Sequence, residues 1–391
     1  MKPDAIATPR PLESDWLDGF VERVAARAVA AEDLRRLPAE TIAEAAEAGF
    51  FAMLLPAVHG GREAGFAEFL DSTRRIAQGC TSSAWTLSFL ALHAWLLCKF
   101  EPQLQAELFG GGAVPMAPAP LAPTGTATPV DGGYRVSGAW DWATGVMHSN
   151  WVMTGCNVPG AGPRFAVMPV ADVSIEDNWH TAGMCATGSA TVHARDVFVP
   201  AHRTVDLLQM QFAGGPGEAL HNMATIRYPL GPTLALVACT PALGAAEAAV
   251  DNFTARMAAK VQAYSGARQA ELPATHLRLG EALALLNAAR LVWRDAVREL
   301  EAIGPLGTGA PVASRLRIRL AAATVVKLAN DIVNNLAAAA GASAGFRSSQ
   351  LQRALRDVQM MRGHVVFDWD RATQIAGRIA LGADPVPADM L

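Results

Sequence analysis

Charge is scarce in this chain of 391 residues: 17% of them are Asp, Glu, Lys or Arg, and the formal net charge is −4. A chain so balanced lacks the basic surface that holds nucleic acid or an anionic membrane. Cysteine is scarce too. Cys80, Cys98, Cys156, Cys185 and Cys239 are scattered, with no C-x-x-C and no zinc-finger spacing to a histidine. That odd set predicts reduced thiols in a cytoplasmic protein and no metal centre. Met1–Trp16 carries three acidic residues and three prolines but no apolar core, so it does not read as a signal peptide. No G-x-G-x-x-G motif is present, which removes the usual NAD(P)H site. Long apolar runs are also few. Trp85–Phe100 has 16 residues and contains His93, and Leu230–Val250 is interrupted by Pro232 and Pro241. A membrane span needs ~20 mostly apolar residues, so both are predicted to be buried helices.

What the chain does have is core-forming material: 51% of its residues are hydrophobic. Its length suits two or three domains at ~100–200 residues each. Three textures divide it. Residues 1–112 repeat apolar positions at helical spacing, as in Ile42, Ala46, Phe50 and Met53, and in Phe66, Phe69, Leu70 and Ile76. Residues 113–225 hold short alternating runs, Tyr134–Gly138, Trp151–Thr154, Phe165–Met168 and Val197–Val199, with a hairpin turn at Asp131-Gly132-Gly133. Residues 226–391 are helical again and rich in Ala and Leu, with small residues that let long helices approach closely. Pro115–Pro129 reads either as a flexible loop or as an ordered edge of the β-domain beside a site.

Four motifs stand in order along this frame: Gly79-Cys-Thr-Ser-Ser-Ala-Trp85 with His93-Ala-Trp95; Gly132–Gly138 with Trp142-Ala-Thr-Gly145; Trp179–Ser189 with Asp196–Pro200; and Leu351–Asp357 followed by His364. Together they resemble group D flavin monooxygenases, the oxygenase components of p-hydroxyphenylacetate, 3-hydroxy-seco-steroid and dibenzothiophene systems. The resemblance runs from about residue 20 to residue 382. It implies an α+β fold of acyl-CoA dehydrogenase type: an N-terminal helical domain, a small β-barrel or sandwich, and a C-terminal four-helix bundle. It also implies a chemistry, in which reduced flavin (FMNH2 or FADH2) and O2, acting through a C4a-hydroperoxyflavin, oxygenate a small organic substrate of aromatic type. With no NAD(P)H site, the reduced flavin must come from a separate flavin reductase. The implied assembly is a homotetramer.

The resemblance also assigns residues. Thr144 is the candidate for the flavin N5 and O4 edge, since a hydroxyl can both donate and accept; otherwise it is a buried threonine satisfied by backbone. Trp142 would pack on the ring or else belong to the core. His364 and His93 are the acid–base or oxygen-stabilising candidates, because imidazole titrates near neutrality; either could instead be a satisfied core histidine. Ser82, Ser83 and Trp85 would line the substrate pocket, though either serine could cap a helix. Ser189 would touch the flavin or its phosphate, or simply serve a turn. Gly266 and Arg268 follow the stretch where related dehydrogenases carry an Arg that holds pyrophosphate.

That last stretch departs from the dehydrogenases: Gln262 stands in place of the Arg. Losing a charge-assisted phosphate contact weakens dinucleotide binding, which suits a flavin that enters reduced and leaves, with FMN versus FADH2 open. The competing activity is oxidation of an acyl-CoA thioester on bound FAD, which needs a carboxylate base. Val365 stands where many dehydrogenases place that base; Glu247 is the alternative carboxylate.

Overall fold

The computed structural model describes residues 12–262 and 265–391. Met1–Pro11 and the Ala263-Tyr264 pair within the Gln262–Gly266 stretch lie outside the described residues. Five helices come first: α1 (Ser14–Leu34), α2 (Ala39–Glu47), α3 (Phe66–Gly79), α4 (Thr81–Leu97) and α5 (Pro102–Phe109). Seven strands follow: β1 (Gly125–Val130), β2 (Gly133–Ala143), β3 (Trp151–Val158), β4 (Gly162–Pro169), β5 (Ser174–Glu176), β6 (Ala190–Pro200) and β7 (Thr204–Asp206). The rest is helical: α6 (Leu207–Phe212), α7 (Leu230–Ala259), α8 (Pro273–Ile303), α9 (Val312–Ala339), α10 (Gln350–Arg362) and α11 (Trp369–Ala380). This is the α+β order that the textures and the resemblance imply.

Each element forms for a legible reason. Helix α4 carries no charged residue and places apolar side chains on every face, so it has no side to give to water. All of it is buried except Phe89. Helix α7 is long and apolar enough to cross a membrane by length and composition, yet 89% of its most apolar window is buried in the fold. It packs against α3, α8, α9 and α10 as the centre of the C-terminal bundle. Helix α9 stops at Ala339, and Gly341 turns the chain at φ +79, so the Gly341–Gly345 run ends a helix rather than lying within one.

The sheet has the order β5-β6-β2-β1-β3-β4-β7, antiparallel except where β1 meets β3. Pro115–Pro129 is ordered. The carbonyls of Met116, Pro118 and Pro120 accept from the N–H groups of Trp151, Met153 and Gly155, so the segment lies along β3 before continuing into β1. Near the end of β2 the register slips: Trp140 faces Val192 and Ala143 faces Ala190, leaving two residues against one. Such a bulge re-aims side chains. Here it puts Trp142 at φ +63 with its indole 66% exposed.

The sheet and the bundle are latched together. The Asp357 carboxylate on α10 accepts the Met184 N–H at 2.6 Å, and Arg356 donates to the Ala182 carbonyl at 2.7 Å. Gly183 between them lies so close that a Cβ there would sit 2.1 Å from the Arg356 carbonyl oxygen. Arg356 also pairs with the buried Glu32 of α1 at 2.8 Å. Burial raises the Asp357 carboxyl to about 7.

Glu247 is committed elsewhere. Its carboxylate, 2% exposed, accepts from Arg74 at 2.5 Å, Arg290 at 2.7 Å and Gln78 at 2.7 Å. It is the hub of an ion-pair network joining α3, α7 and α8. Removing one partner of a buried pair costs about 3–5 kcal/mol; Arg74 and Arg290 reach solvent, which places Glu247→Ala at the low end. Urea denaturation should show that loss, and an unchanged midpoint would show that the network does not hold the helices together.

Candidate functional site

One face of α4 gathers the site. Ser82, Trp85, Phe89 and His93 recur at three- and four-residue spacing, so they stack along the helix. Trp85 and Phe89 stack with centroids 4.4 Å apart. The Phe89 ring meets His93 edge-on at 5.5 Å, and Trp85 meets His364 edge-on at 5.7 Å. His364, on the turn between α10 and α11, also packs against Phe367 at 5.6 Å. The two histidines from opposite ends of the chain are therefore joined by an aromatic row.

Their hydrogen bonds fix them in opposite tautomers. His93 Nδ1 lies 2.9 Å from the Ala117 carbonyl oxygen. A carbonyl only accepts, so Nδ1 carries the hydrogen and Nε2 presents a lone pair. His364 Nδ1 accepts the Val366 N–H at 3.2 Å. It therefore has no hydrogen there, and its Nε2 presents an N–H. Burial pushes both imidazoles down to about 4; the Arg319 guanidinium also acts on His364. Both are neutral at pH 7, one an acceptor and the other a donor.

The β-domain contributes hydroxyls. Trp85 Nε1 donates to Thr144 Oγ1 at 3.3 Å; Thr144 and Ser189 lie 2.9 Å apart, and Ser189 and Thr187 2.7 Å. Thr187 donates to the Met184 carbonyl at 2.9 Å. Thr144 is thus satisfied by side chains, not by backbone. Trp142, outward on its bulge, is not a core residue.

Other expected residues fall elsewhere. Ser82 Oγ lies 4.0 Å from Met184 Sδ and makes no helix cap; the capping position is Cys80. Ser83 faces the Cys80 thiol instead of the aromatic row. Gly266, at φ +68, and Arg268 belong to the connection after α7, where Arg268 bridges to Val261 and is mostly exposed. Among the described residues, nothing ties that connection to the hydroxyls. A cavity of about 480 Å³ lined by Asn330, Asp331, Asn334, Gln359 and Arg362 includes none of the expected residues.

Three participants escaped the sequence reading. Thr187 ends a short 3-10 turn and is separated from Ser189 by the left-handed Gly188, so no strand or helix spacing announced their contact. Phe89 lies four residues from both Trp85 and His93. Arg319 is 2% exposed, has no carboxylate partner among the described residues, and donates to the Val366 carbonyl. Its signal was an arginine in register with Ala322, Ala323 and Val326 on a buried stripe.

Comparison with known proteins identifies the fold and the family. Family models for the acyl-CoA dehydrogenase N-terminal and C-terminal domains match residues 14–107 and 236–369. The chain is 31% identical over 377 residues to the flavin-dependent monooxygenase oxygenase subunit HsaA of Mycobacterium tuberculosis, covering 94% of this chain and 95% of that protein. It is 31% identical to the oxygenase component of p-hydroxyphenylacetate 3-hydroxylase of Acinetobacter baumannii, over 94% of this chain and 88% of that one. The crystal structure of 3-HSA hydroxylase from Rhodococcus sp. RHA1 superposes with a TM-score of 0.91 at 31% identity, covering 96% and 98% of the two chains. Similarity that spans all three parts of the fold places this chain in the family of flavin-dependent monooxygenases with an acyl-CoA dehydrogenase fold, as an oxygenase component.

Proposed function

We propose that this chain oxygenates a planar aromatic substrate at the junction of α4, the end of β2 and the His364 turn, with reduced flavin delivered by a separate reductase. The observation that carries the reading is the pair of oppositely fixed, neutral imidazoles at the two ends of one aromatic row. The residues present fit an isoalloxazine: the buried hydroxyls offer polar contacts to a ring edge, and the exposed indole of Trp142 offers a flat apolar face beside them. When bound, reduced flavin supplies two electrons and activates O2, so that one oxygen atom enters the substrate and the other leaves as water. Relatives named as FADH2-dependent or as oxygenase components support both the reduced cofactor and the separate reductase.

Around that chemistry the protein positions and manages protons. Phe89, partly open along a buried helix, stacks an arene. His93 Nε2 accepts a hydrogen bond from a substrate hydroxyl. His364 Nε2–H donates to an oxygen in the junction without becoming charged, which favours its oxygen-stabilising role over that of a base. Trp85 closes the wall between them. The thioester alternative is not favoured: Val365 has no acid–base group, and Glu247 is held in its ion-pair network.

Two further proposals concern setting. Leu277, Leu283 and Leu291 are exposed along α8, and an apolar stripe of this kind fits burial against further copies in a tetramer. Light scattering at micromolar concentration should give the mass of four chains; a monomer would refute it. The five cysteines are all free thiols, which suits the cytoplasm.

The donor role of His364 is tested by His364→Ala. Loss of one positioned donor lowers product formation about 10²–10³-fold, with H2O2 release rising and flavin affinity kept. The same variant has a pH signature. His364 sits near 4 in the folded protein, below its ordinary 6.5, so between those values the unfolded chain takes up a proton that the folded one does not. Stability from this group is present above pH 6.5 and is lost as the pH falls toward 4, by about 1.4 kcal/mol per pH unit. Asp357, raised to about 7, acts in the opposite direction over pH 4–7 in both proteins and cancels in the comparison. Denaturation at pH 7 and pH 5 should show a shallower acid loss in His364→Ala. A shallower slope with unchanged coupling would make His364 an ordinary core residue, and an unchanged slope would show that burial does not hold it neutral.

A further inference from the structure

The hydroxyl relay has a direction. The Met184 carbonyl has no hydrogen to give, so Thr187 must donate to it; Trp179 Nε1 donates to the same oxygen at 3.0 Å. A hydroxyl has one hydrogen and two lone pairs. With its hydrogen spent on Met184, Thr187 can only accept from Ser189, across 2.7 Å. Ser189, now committed, can only accept from Thr144, across 2.9 Å. At the other end the indole of Trp85 can only donate, and it donates to Thr144. The Met184 end therefore imposes the order Trp85 to Thr144 to Ser189 to Thr187 to the Met184 carbonyl, and the Trp85 donation is compatible with it. All three hydroxyl residues are buried, with exposures of 7%, 4% and 2% for Thr144, Ser189 and Thr187. No bulk water is at hand to reverse the order, and reversal would set lone pair against lone pair between Ser189 and Thr187.

In this order Thr144 has no hydrogen left to offer. One of its lone pairs receives the Trp85 N–H, and the other is what an incoming group meets. We infer that Thr187, by setting the direction of this relay, makes Thr144 an obligate acceptor and so selects reduced over oxidised flavin. Reduced flavin carries a hydrogen on N5; oxidised flavin has a lone pair there, which would face another lone pair. Thr187 is thus a positioning residue that acts through Ser189 and Thr144. The inference rests on the reading that the N5 edge lies at Thr144.

The test is binding, independent of turnover. The full-length protein is titrated anaerobically with oxidised FMN and FAD, and with the same flavins reduced by dithionite. In the natural protein the reduced forms should bind more tightly. In Thr187→Val the relay loses its terminal acceptor, Ser189 can turn its hydrogen back, and Thr144 regains one to donate. The preference for reduced flavin should then fall about tenfold. The potential of the bound flavin should drop by about 30 mV, the two-electron equivalent of that factor. Thr187→Ser, which keeps the hydroxyl, should restore the preference. If Thr187→Val does not fold, Ser189→Ala cuts the relay one step nearer and should give the same loss. Thr144→Val separates the two readings. If it alters the preference while Thr187→Val and Ser189→Ala do not, the relay inference is overturned and the placing of the flavin edge stands. If Thr144→Val alters neither affinity, the placing fails and takes the inference with it.

Discussion

Helix α4 has nowhere to send a polar group except into the protein, and most of the site follows from that constraint. A buried polar atom without a partner costs about 1–3 kcal/mol, and most of those on α4 find one. Thr86 donates to the Ser82 carbonyl, Ser88 to the Trp85 carbonyl, and His93 to Ala117. The last bond matters most. Because its partner is a backbone carbonyl on the ordered Pro115–Pro129 edge, the histidine is held in one tautomer by the fold itself. A residue that satisfies a burial requirement is thereby given a chemical polarity.

The same logic works at the other end of the chain. The turn after α10 is gripped through Val366, whose N–H goes to His364 and whose carbonyl receives Arg319. Burial pushes that guanidinium down to about 10, and nothing anionic pairs with it among the described residues. A lone buried cation is normally unfavourable; here it adds to burial, the larger cause, in keeping the His364 imidazole neutral. The latch from Asp357 to Met184 then sets α10 against the loop that carries Thr187 and Ser189. Hydroxyls from the sheet and an imidazole from the bundle share one frame because a single buried carboxyl binds the backbone between them.

Much of this was legible in the sequence, for physical reasons. An uncharged apolar run of 16 residues can only be a buried helix, and alternation around Asp131-Gly132 can only be a hairpin, so the order of elements was readable. Thr144, His93 and His364 were found because motifs in chain order resembled a family. What stayed hidden depends on three-dimensional direction. The bulge that turns Trp142 outward is a difference in register between two strands, which neither strand carries alone. Ser83 and Ser82 are adjacent in sequence but one helical step apart in facing, so only one meets the Met184 loop. The His93 tautomer and the Thr144–Ser189 contact depend on partners more than twenty residues distant. Arg319 was readable in principle as a charge on an apolar stripe, but nothing in the stripe says what it faces.

Phe89 is the one residue of α4 that is not buried, and this has a consequence for how such a protein diversifies. Elsewhere on the helix a change of side-chain volume must be absorbed by neighbours packed at close to crystal density. At Phe89 a change meets open space on one side, and the helix around it need not move. The hydroxyls of Thr144, Ser189 and Thr187 meet Trp85 through its indole N–H, whereas Phe89 stacks on the ring. If the aromatic row holds the substrate as proposed, descent with new substrates has in Phe89 a position that can change volume without repacking the rest of α4.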